Sequence, residues 1–594
     1  MMASLDFATL HAGYAAGTLT PEDVIALVYE RIADMGERPV WISLRPRDEA
    51  LAQAANAPRG PLYGIPFAVK DNIDVAGLPT TCACPDFAYV PERSATVVER
   101  LEAAGAIVIG KTNLDQFATG LVGTRSPYGI PESAFKPGYI SGGSSSGSAV
   151  AVARGLVSFA LGTDTAGSGR VPAAFNNIVG LKPSKGLISA RGVVPACKTQ
   201  DTVSIFALTV ADAAAAFDVA AAFDAEDAFA RSGERRDLPR APALPLRIGV
   251  PDALEFLGDT ANADLYADAI ERARSLGAEI VPFDFTPFRD AAQLLYQGPW
   301  VAERLAAIKE FARTKPEAIH DVVRGIVLGA ENITAADTFE GLYRLAELTR
   351  RAEAQWQSFD MMLLPTAATT YKIADVLADP VRLNSNLGLY TNFVNLMDLS
   401  ALAVPAGMRA DGLPFGVTLI GHACADAALA AFGDKMHRAL PPIQIGATGH
   451  PLYATLKHAP AISSAAKIQV AVVGAHLKGQ PLNGQLVERN AEFVRDAKTA
   501  PGYSFYALAN TAPAKPGLIF DGRGIGGIDV EIWELDAAGF GSFVSLIPPP
   551  LGIGTLQLAD GTNVKGFVCE AHAVANALDI TGFGGWRNWL SSKH

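Results

Sequence analysis

Strand-like apolar runs alternate with helical patterns over the first 440 residues, and this alternation constrains the fold more than any other feature of the sequence. Ile65 to Val69 forms a short apolar run, and Ala106 to Ile109 forms another. Ala95 to Ala104 lies between them with helical spacing, and a further helical pattern begins at Asn113. Such alternation is typical of α/β architecture, so the sequence predicts an α/β fold here.

The pattern changes beyond residue 440, and the chain of 594 residues is too long for one core of roughly 100–200 residues. Residues 441–465 contain a stretch rich in proline and glycine that predicts a linker. Residues 466–594 predict a small, β-rich α+β domain, because short β-like runs lie between glycine and proline turns. These runs are Ile468 to Val473, Ile528 to Glu534 and Val564 to Glu570. We therefore expect one domain over 1–440 and a second over 466–594.

Composition excludes several classes of function. The chain has 61 acidic and 49 basic residues, and a net charge of -12 disfavours non-specific binding to nucleic acid or to an acidic membrane. No apolar run reaches the ~18–20 residues of a membrane span, and the N-terminus does not match a secretory signal. Five cysteines do not make a disulfide framework in so long a chain, and Cys82 and Cys84 have no partner pair at zinc spacing. We expect a cytoplasmic protein.

Two clusters of serine and glycine indicate nucleophilic chemistry. Ser144 lies in SGGSSSGSA and Ser168 lies in GTDTAGSGR, 24 residues further on. The second cluster follows a strand-like run as a tight turn, in which successive backbone N–H groups converge on one point and stabilise a developing oxyanion. Small residues are needed there, because a bulky side chain would block the substrate carbonyl.

A serine nucleophile needs a base, and neither cluster has a histidine near it in sequence. Lys70 ends an apolar run and is followed by Asp71 and Asn72. Burial disfavours the charged form of a lysine and lowers its pKa towards the range useful to a general base. Lys70 is therefore the candidate base, with Ser144 relaying the proton between it and Ser168.

These residues resemble the amidase signature family of Ser-cisSer-Lys hydrolases. The resemblance rests on GGSSSGSA, GTDTAGS with the following R and PAA, GLKPS, and PFAVKDN upstream, and it spans about residues 20–440. It implies a mixed central sheet covered by helices, Lys70 as base, Ser144 as the serine with a cis peptide bond, and Ser168 as nucleophile. It also implies that the oxyanion hole is formed by backbone amides within Thr165, Ala166, Gly167 and Ser168. Asp164 and Arg170 fall on positions that support the turn.

One position departs from the family pattern, and two other motifs compete with it. Most members of the family have glycine at the position of Ala166. The methyl group of an alanine is tolerated there if the φ angle of this residue stays negative.

The segment Gly143 to Gly147 formally matches the G-x-S-x-G motif, with Ser145 at its centre. It follows a loop, however, whereas the elbow of an α/β-hydrolase follows a buried strand. The G-x-G-x-x-G spacing from Gly522 to Gly527 precedes a β-like run and indicates a turn.

The substrate is indicated by residues 294–311. Tyr296 and Arg304 are eight residues apart, so they share one face of a helix or of a turn leading into it. Arg304 would bind a carboxylate and Tyr296 would add a hydroxyl, although an ordinary amphipathic helix gives the same spacing. YQGPWVAER and TDTAGSGRVPA resemble the allophanate hydrolase branch of the family. That resemblance implies that Tyr296, Arg304 and Gly123 contact allophanate, a small anion whose hydrolysis gives ammonia and N-carboxycarbamate.

The C-terminal segment opens with KIQVAVVGAHLKGQPLN, a strand and glycine turn similar to γ-glutamylcyclotransferase-like folds. In the allophanate hydrolase branch this domain acts on N-carboxycarbamate and assists its decarboxylation. His476 follows the turn and is the candidate functional group, with Glu531 as a second acid/base candidate. A histidine that caps the turn and an acid on an exposed strand are the structural alternatives.

Two other functions stay open at the level of sequence. The chain could be a different amidase-signature amidase or one component of an amidotransferase, and the C-terminal domain could be a binding or assembly module without chemistry. The resemblance implies a homodimer and a functional link to urea carboxylase. We expect no cofactor, because the sequence has no metal cluster and no nucleotide-binding loop.

Overall fold

The computed structural model describes residues 4–231, 245–440, 444–452, 467–489, 491–509, 511, 513–535 and 537–593. Contacts divide the chain into two compact units, Met1–Ile462 and Ser463–His594. Residues 444–452 of the predicted linker are described, and the rest of 441–465 lies outside the described residues. None of the described helices combines the length and the apolar character that a bilayer crossing requires.

The first unit is built on a mixed sheet of eleven described strands, which confirms the predicted α/β fold. Its spatial order is β1-β3-β2-β4-β6-β5-β10-β11-β9-β7-β8, with parallel pairs near each end and antiparallel pairs in the middle. The strands are β1 (Trp41–Leu44), β2 (Pro66–Lys70), β3 (Ile107–Thr112), β4 (Phe159–Asp164), β5 (Val179–Lys182), β6 (Thr202–Ala207), β7 (Arg247–Pro251), β8 (Glu279–Phe283), β9 (Met361–Pro365), β10 (Leu399–Met408) and β11 (Pro414–His422).

Helices cover this sheet, and local sequence explains several of their bounds. The second helix begins at Pro21, where Thr20 and Asp23 form a reciprocal capping box. The helices are α1 (Phe7–Ala15), α2 (Pro21–Met35), α3 (Arg47–Ala55), α4 (Thr96–Ala103), α5 (Ser146–Ala153), α6 (Val171–Phe175), α7 (Val210–Ala220), α8 (Thr260–Ser275), α9 (Thr286–Gln297), α10 (Trp300–Thr314), α11 (Asp321–Gly329), α12 (Ala335–Trp356), α13 (Ile373–Ala378), α14 (Arg382–Leu387), α15 (Phe393–Leu396) and α16 (Asp426–Arg438).

The helix predicted from Asn113 is wrong. Only a 3-10 turn forms at Gln116–Ala118, and Phe117 and Ala118 both have positive φ, at 51° and 53°. Polar side chains of this segment bind neighbouring loops, and the backbone does not continue as a helix. The side chain of Asn113 donates to the carbonyls of Pro39 and Gly129, at 2.8 and 3.1 Å. Non-glycine residues adopt this left-handed conformation only where their surroundings hold them in it.

The second unit contains two antiparallel-rich sheets around an apolar core, as expected for a small β-rich domain. One sheet has the order β13-β16-β12-β18-β17 and the other the order β15-β14-β19. The elements are β12 (Ile468–Val472), α17 (Gly484–Val487), β13 (Glu492–Lys498), β14 (Tyr503–Ala507), β15 (Pro516–Phe520), β16 (Asp529–Leu535), α18 (Ala537–Val544), β17 (Leu551–Gln557), β18 (Asn563–Cys569), β19 (Leu578–Asp579) and α19 (Trp586–Ser591).

Candidate active site

Lys70 ends β2 in the middle of the first unit and is wholly buried. Its amine lies 2.7 Å from the hydroxyl of Ser144 and 2.7 Å from the hydroxyl of Thr163. Burial lowers the pKa of Lys70 to about 7, although Asp115 and Asp201 act in the opposite direction. A lysine with this pKa is neutral in a large fraction of molecules near neutral pH, which a general base requires.

Asp71, the residue after Lys70, forms an ion pair with a different lysine. Lys111 on β3 lies 3.1 Å from Asp71, and both side chains are inaccessible to solvent. Asp71 also accepts hydrogen bonds from the amide and the hydroxyl of Thr81. Among the described residues, Lys70 has no carboxylate at ion-pair distance, so hydroxyl groups are its polar neighbours.

Ser144 follows a cis peptide bond after Gly143, as the resemblance implies. The backbone on both sides is fixed: Gly143 donates to the carbonyl of Leu121 at 2.8 Å, and the carbonyl of Ser144 accepts from the amide of Asp115 at 3.0 Å. A Cβ at Gly143 would lie 2.1 Å from the carboxylate of Asp115, so only glycine fits. The hydroxyl of Ser145 donates to the carbonyl of Thr163, so this serine has a structural contact. This agrees with the interpretation that the G-x-S-x-G match is not a nucleophile elbow.

Ser168 lies in the turn between β4 and α6, and one ion pair supports this turn. Asp164 accepts from the amides of Gly167 and Gly169, each at 3.0 Å. Arg170 donates twice to the same carboxylate, at 2.8 Å each, and both side chains are wholly buried. Burial raises the pKa of Asp164, but the charge and hydrogen bonds of Arg170 outweigh it and lower the pKa overall. Asp164 is therefore a fixed anion that anchors the turn.

The structure limits which backbone amides near Ser168 are available to an oxyanion. The amide of Gly167 already donates to Asp164, so it is not available to an oxyanion. Within the described part of the chain, the amides of Thr165, Ala166 and Ser168 have no acceptor. Ala166 keeps φ out of the left-handed region, which makes its methyl group compatible with the turn. The amides of Thr165, Ala166 and Ser168 are therefore available to bind an oxyanion, whereas that of Gly167 is not.

Arg304 lies on α10 and is only 2% exposed. It donates to the hydroxyl of Thr119 at 3.1 Å and to that of Tyr296 at 3.3 Å, and its guanidinium carbon lies 5.1 Å from the centre of the Tyr296 ring. Glu303, the partner expected for an ordinary amphipathic helix, accepts instead from the amide and hydroxyl of Thr199. No carboxylate of the described residues pairs with Arg304, and its Nε has no partner.

Thr119 connects this arginine to Ser168, the candidate nucleophile. The next residue, Gly120, accepts a hydrogen bond of 3.4 Å from the hydroxyl of Ser168. Adjacent residues therefore contact Ser168 through a carbonyl and Arg304 through a hydroxyl, although the two contacted residues are 136 positions apart. The guanidinium and the reacting hydroxyl thus belong to the same site.

Gly123 lies in the same loop, against the serine cluster. Its amide donates to Asp115 at 2.9 Å, and a Cβ would lie 2.6 Å from the carbonyl oxygen of Gly142. Its φ of 76° is also one that glycine adopts without strain. Glycine is therefore required at this position by the packing alone.

Sequence reasoning missed several residues that complete this site. They are Asp115, Thr119, Arg125, Thr163 and Asp201. Thr163 immediately precedes Asp164 in GTDTAGS, so the motif itself could have identified it. The loop that holds Asp115, Thr119 and Arg125 gives no such signal, because its apolar spacing imitates that of a helix.

In the second unit, His476 lines a cavity of about 230 Å³ together with Lys515, Gln485 and Phe567. Its Nε2 lies 2.9 Å from the amide oxygen of Gln485, and its ring stacks on Phe567 with centroids 5.0 Å apart. Burial lowers the pKa of His476, and the positive charge of Lys515 acts in the same direction. A neutral histidine beside a lysine in a partly apolar cavity suits a small anion.

Glu531 does not share this cavity. It accepts from the amide of Lys478 at 2.8 Å, from the indole of Trp533 at 3.1 Å and from Arg587 at 2.7 Å. All of these bonds join parts of the same unit, and Glu531 is buried. The second acid/base candidate is therefore a structural carboxylate, because its lone pairs are used by internal donors.

Comparison with known protein families identifies both parts of the chain. Residues 23–430 match the model of the family described as Amidase. Residues 468–591 match the model described as Allophanate hydrolase C-terminal domain. These matches confirm the resemblances inferred from the sequence for both parts of the chain.

Individual relatives agree with the family models. Urea amidolyase of Lachancea kluyveri is 46% identical over 573 residues, which is 93% of this chain but 31% of that protein. The chain thus spans about a third of the length of the curated relatives that it matches first. The solved allophanate hydrolase of Kluyveromyces lactis is 41% identical, with a TM-score of 0.73 and 98% of each chain covered. A glutamyl-tRNA(Gln) amidotransferase component of Symbiobacterium thermophilum is 37% identical over 412 residues, which is 64% of this chain and 83% of that protein.

Proposed function

The chain belongs to the amidase family, and we propose that within this family it is an allophanate hydrolase. The observation that carries the proposal is the buried guanidinium of Arg304, which has no carboxylate partner among the described residues. A buried charge without a counter-ion costs several kcal/mol, and an anionic substrate supplies the missing partner. Allophanate carries a carboxylate on one nitrogen and a hydrolysable amide at its other end.

In the proposed acylation step, Lys70 is the base, Ser144 relays the proton and Ser168 is the nucleophile. Neutral Lys70 takes the proton of Ser144, which in turn takes the proton of Ser168, and the Ser168 oxygen attacks the terminal amide carbon. The amides of Thr165, Ala166 and Ser168 stabilise the oxyanion that forms. The proton then returns through Ser144 to the amide nitrogen, which leaves as ammonia, and the acyl group remains on Ser168.

Water completes the cycle by the same route. Lys70, neutral again, accepts a proton through Ser144 from a water molecule that attacks the ester carbonyl. The tetrahedral intermediate collapses with release of the Ser168 oxygen, which recovers its proton. The product is N-carboxycarbamate, a dianion whose second carboxylate is new.

Substrate selection comes from Arg304 and Tyr296. Arg304 binds the carboxylate, and its unpartnered Nε offers one further donor. The hydroxyl oxygen of Tyr296 accepts from Arg304, so its hydrogen is free to donate to the substrate. Both groups attract an anion that the net charge of -12 would otherwise repel.

We propose that the second unit acts on N-carboxycarbamate and promotes its decarboxylation. Support comes from the cavity that holds His476 and Lys515, because a lysine attracts a carboxylate and a neutral histidine is able to donate or accept a proton. Replacing His476 with Asn should leave ammonia release from the first step unchanged and slow carbon dioxide release. Equal rates of carbon dioxide release in the variant and the parent would reduce the unit to a binding or assembly role.

We also propose a homodimer in the cytoplasm and a functional link to urea carboxylase. The link is supported by the urea amidolyases, in which the matched segment is 31% of a longer protein. Sedimentation velocity of the full chain tests the dimer, and a coupled assay with purified urea carboxylase tests the link.

The alternative of an amidotransferase component has less support. The amidotransferase relative covers 64% of this chain, whereas the allophanate hydrolase structure covers 98%. Neither an amidotransferase nor a broad amidase explains why a buried arginine lies next to the loop that contacts the nucleophile.

The deciding experiment measures ammonia release from freshly prepared allophanate, and from acetamide, malonamide and urea. Ser168→Ala serves as the control for the nucleophile. We expect activity on allophanate that the Ser168→Ala variant lacks. Activity only on the neutral amides would overturn the substrate assignment and leave the Ser-Ser-Lys mechanism in place.

A further inference from the structure

We propose that Thr119 is a positioning residue that sets the substrate preference of the site by fixing the guanidinium of Arg304. This inference rests on the proposed function, because it assigns the residue that prepares Arg304 for a carboxylate. Thr119 is 1% exposed and comes from a loop, whereas Arg304 comes from a helix 185 positions further along the chain.

The hydroxyl of Thr119 has one orientation. It donates to the carbonyl of Phe117 at 3.1 Å and accepts from Arg304 at 3.1 Å. With its hydrogen already used, the oxygen presents a lone pair to the arginine. Thr119 therefore acts on the substrate through Arg304.

The backbone around Thr119 is held in a strained conformation. Phe117 and Ala118 have φ of 51° and 53°, a left-handed region that residues with a Cβ adopt only at an energetic cost. Arg125 holds the far side, because its guanidinium donates to the carbonyl of Thr119 at 2.8 Å and to that of Pro380 at 2.7 Å. Strain of this kind persists where it places a functional group.

Thr119 also explains how the arginine is aligned with the reacting bond. The carbonyl of Gly120 accepts from Ser168, and the side chain of the preceding residue, Thr119, accepts from Arg304. Two adjacent residues therefore hold the candidate nucleophile and the guanidinium in a fixed relation. If the hydroxyl at position 119 were removed, Arg304 would stay buried but its guanidinium would be free to rotate towards Tyr296. We infer that the carboxylate would then bind in several positions, with few of them productive.

The test compares Thr119→Val, which keeps the shape and loses the hydroxyl, with Thr119→Ser, which keeps the hydroxyl. In the Ser168→Ala background, calorimetry measures binding of malonamate, a carboxylate amide in which a methylene replaces the bridging nitrogen of allophanate. We expect Thr119→Val to weaken binding about tenfold or more and Thr119→Ser to bind within about threefold of the parent. Thr119→Ala replaces the valine variant if its far-UV circular dichroism shows loss of fold.

In active enzyme, Thr119→Val should raise KM for allophanate more than it lowers kcat, whereas Thr119→Ser should keep both constants close to those of the parent. Equal loss in the serine and valine variants, unchanged binding in both, or no malonamate binding by the parent would each overturn the inference. Failure of the proposed function looks different. The parent would then release no ammonia from allophanate, while the valine and serine variants would still differ in malonamate binding.

Discussion

The amine nitrogen of Lys70 lies 2.7 Å from the hydroxyl oxygen of Ser144, and solvent reaches neither side chain. The strand β2 and the serine loop, 74 positions apart in sequence, meet at this contact. A base in contact with the relay hydroxyl and shielded from water is pre-organised for proton transfer. Its protonation state then governs the rate of the reaction.

The activity should therefore follow the titration of Lys70. Because burial lowers its pKa to about 7, the neutral base predominates above this pH and is lost below it. We expect kcat/KM for allophanate to be level above about pH 8 and to fall about tenfold for each pH unit below about 7. Initial rates between about pH 6 and 9 measure this, with recovery of activity at about pH 8 as the control for denaturation. A profile that is flat across this range would contradict the assignment of the base.

The two hydroxyls at Lys70 should differ in importance. Ser144→Ala removes the relay, so activity should fall by about 10² to 10⁴. Thr163→Val removes an acceptor that binds the ammonium of Lys70 but lies outside the relay. Activity should therefore fall about tenfold or less. It should also lower the pKa of Lys70 further, because the charged form loses a hydrogen bond. Steady-state kinetics and the shift of the acidic limb measure both effects, and similar losses in the two variants would argue against the relay.

Arg304 should control the affinity for the anionic substrate. Arg304→Lys keeps the charge but loses the planar set of donors that contacts Thr119 and Tyr296. We expect about a 100-fold loss in kcat/KM for allophanate, mostly through KM, with little change for neutral amides. Arg313→Lys is the matched control, because Arg313 lies on the same helix but is exposed and pairs with Glu331. A comparable loss in the control would indicate damage to the helix.

The ion pair between Asp164 and Arg170, which supports the turn around Ser168, should also stabilise the fold. Arg170→Met leaves Asp164 buried without its counter-ion, which costs about 3–5 kcal/mol in free energy of unfolding. Activity should fall with it, because the turn around Ser168 loses its anchor. Urea denaturation measures the change. The double variant Asp164→Asn with Arg170→Met should recover part of the stability, and no recovery would show that the destabilisation has another origin.

Acid should destabilise the first unit through His437. Burial lowers the pKa of His437 to about 3, and neighbouring Arg438 adds to the effect. The unfolded chain binds a proton below about pH 6.5 and the folded chain does not, so stability falls as pH decreases from about 6.5 towards 3. This one group contributes a loss of up to about 1.4 kcal/mol per pH unit. His437→Leu should remove that contribution, and the difference in urea midpoints between the two proteins at about pH 7 and about pH 5 measures it. A constant difference would contradict the prediction.

Local sequence signals account for most of the secondary structure near the site. The apolar run before Lys70 forms β2, and the strand-like run before the second serine cluster forms β4. The segment after Asn113 departs from its pattern, because its conformation depends on distant partners. The side chain of Gln116 donates to the carbonyl of Ala83, and its oxygen accepts from the amide of His320. A helical pattern of apolar residues carries no information about such contacts.

The sequence by itself determined the family, because its long serine and glycine motifs are those of the amidase family, and it predicted Lys70, Ser144 and Ser168 as the catalytic residues. It also predicted that Tyr296 and Arg304 share one face of a helix or of a turn leading into it; the structure places Tyr296 on α9 and Arg304 on α10 and brings the two side chains together. Only the tertiary structure decided that Arg304 faces Thr119 and has no carboxylate partner among the described residues, and that the amide of Gly167 is already occupied by Asp164. The physical reason is that hydrogen bonding and desolvation of a buried group depend on residues brought together by the whole fold, over separations where sequence spacing fixes no distance.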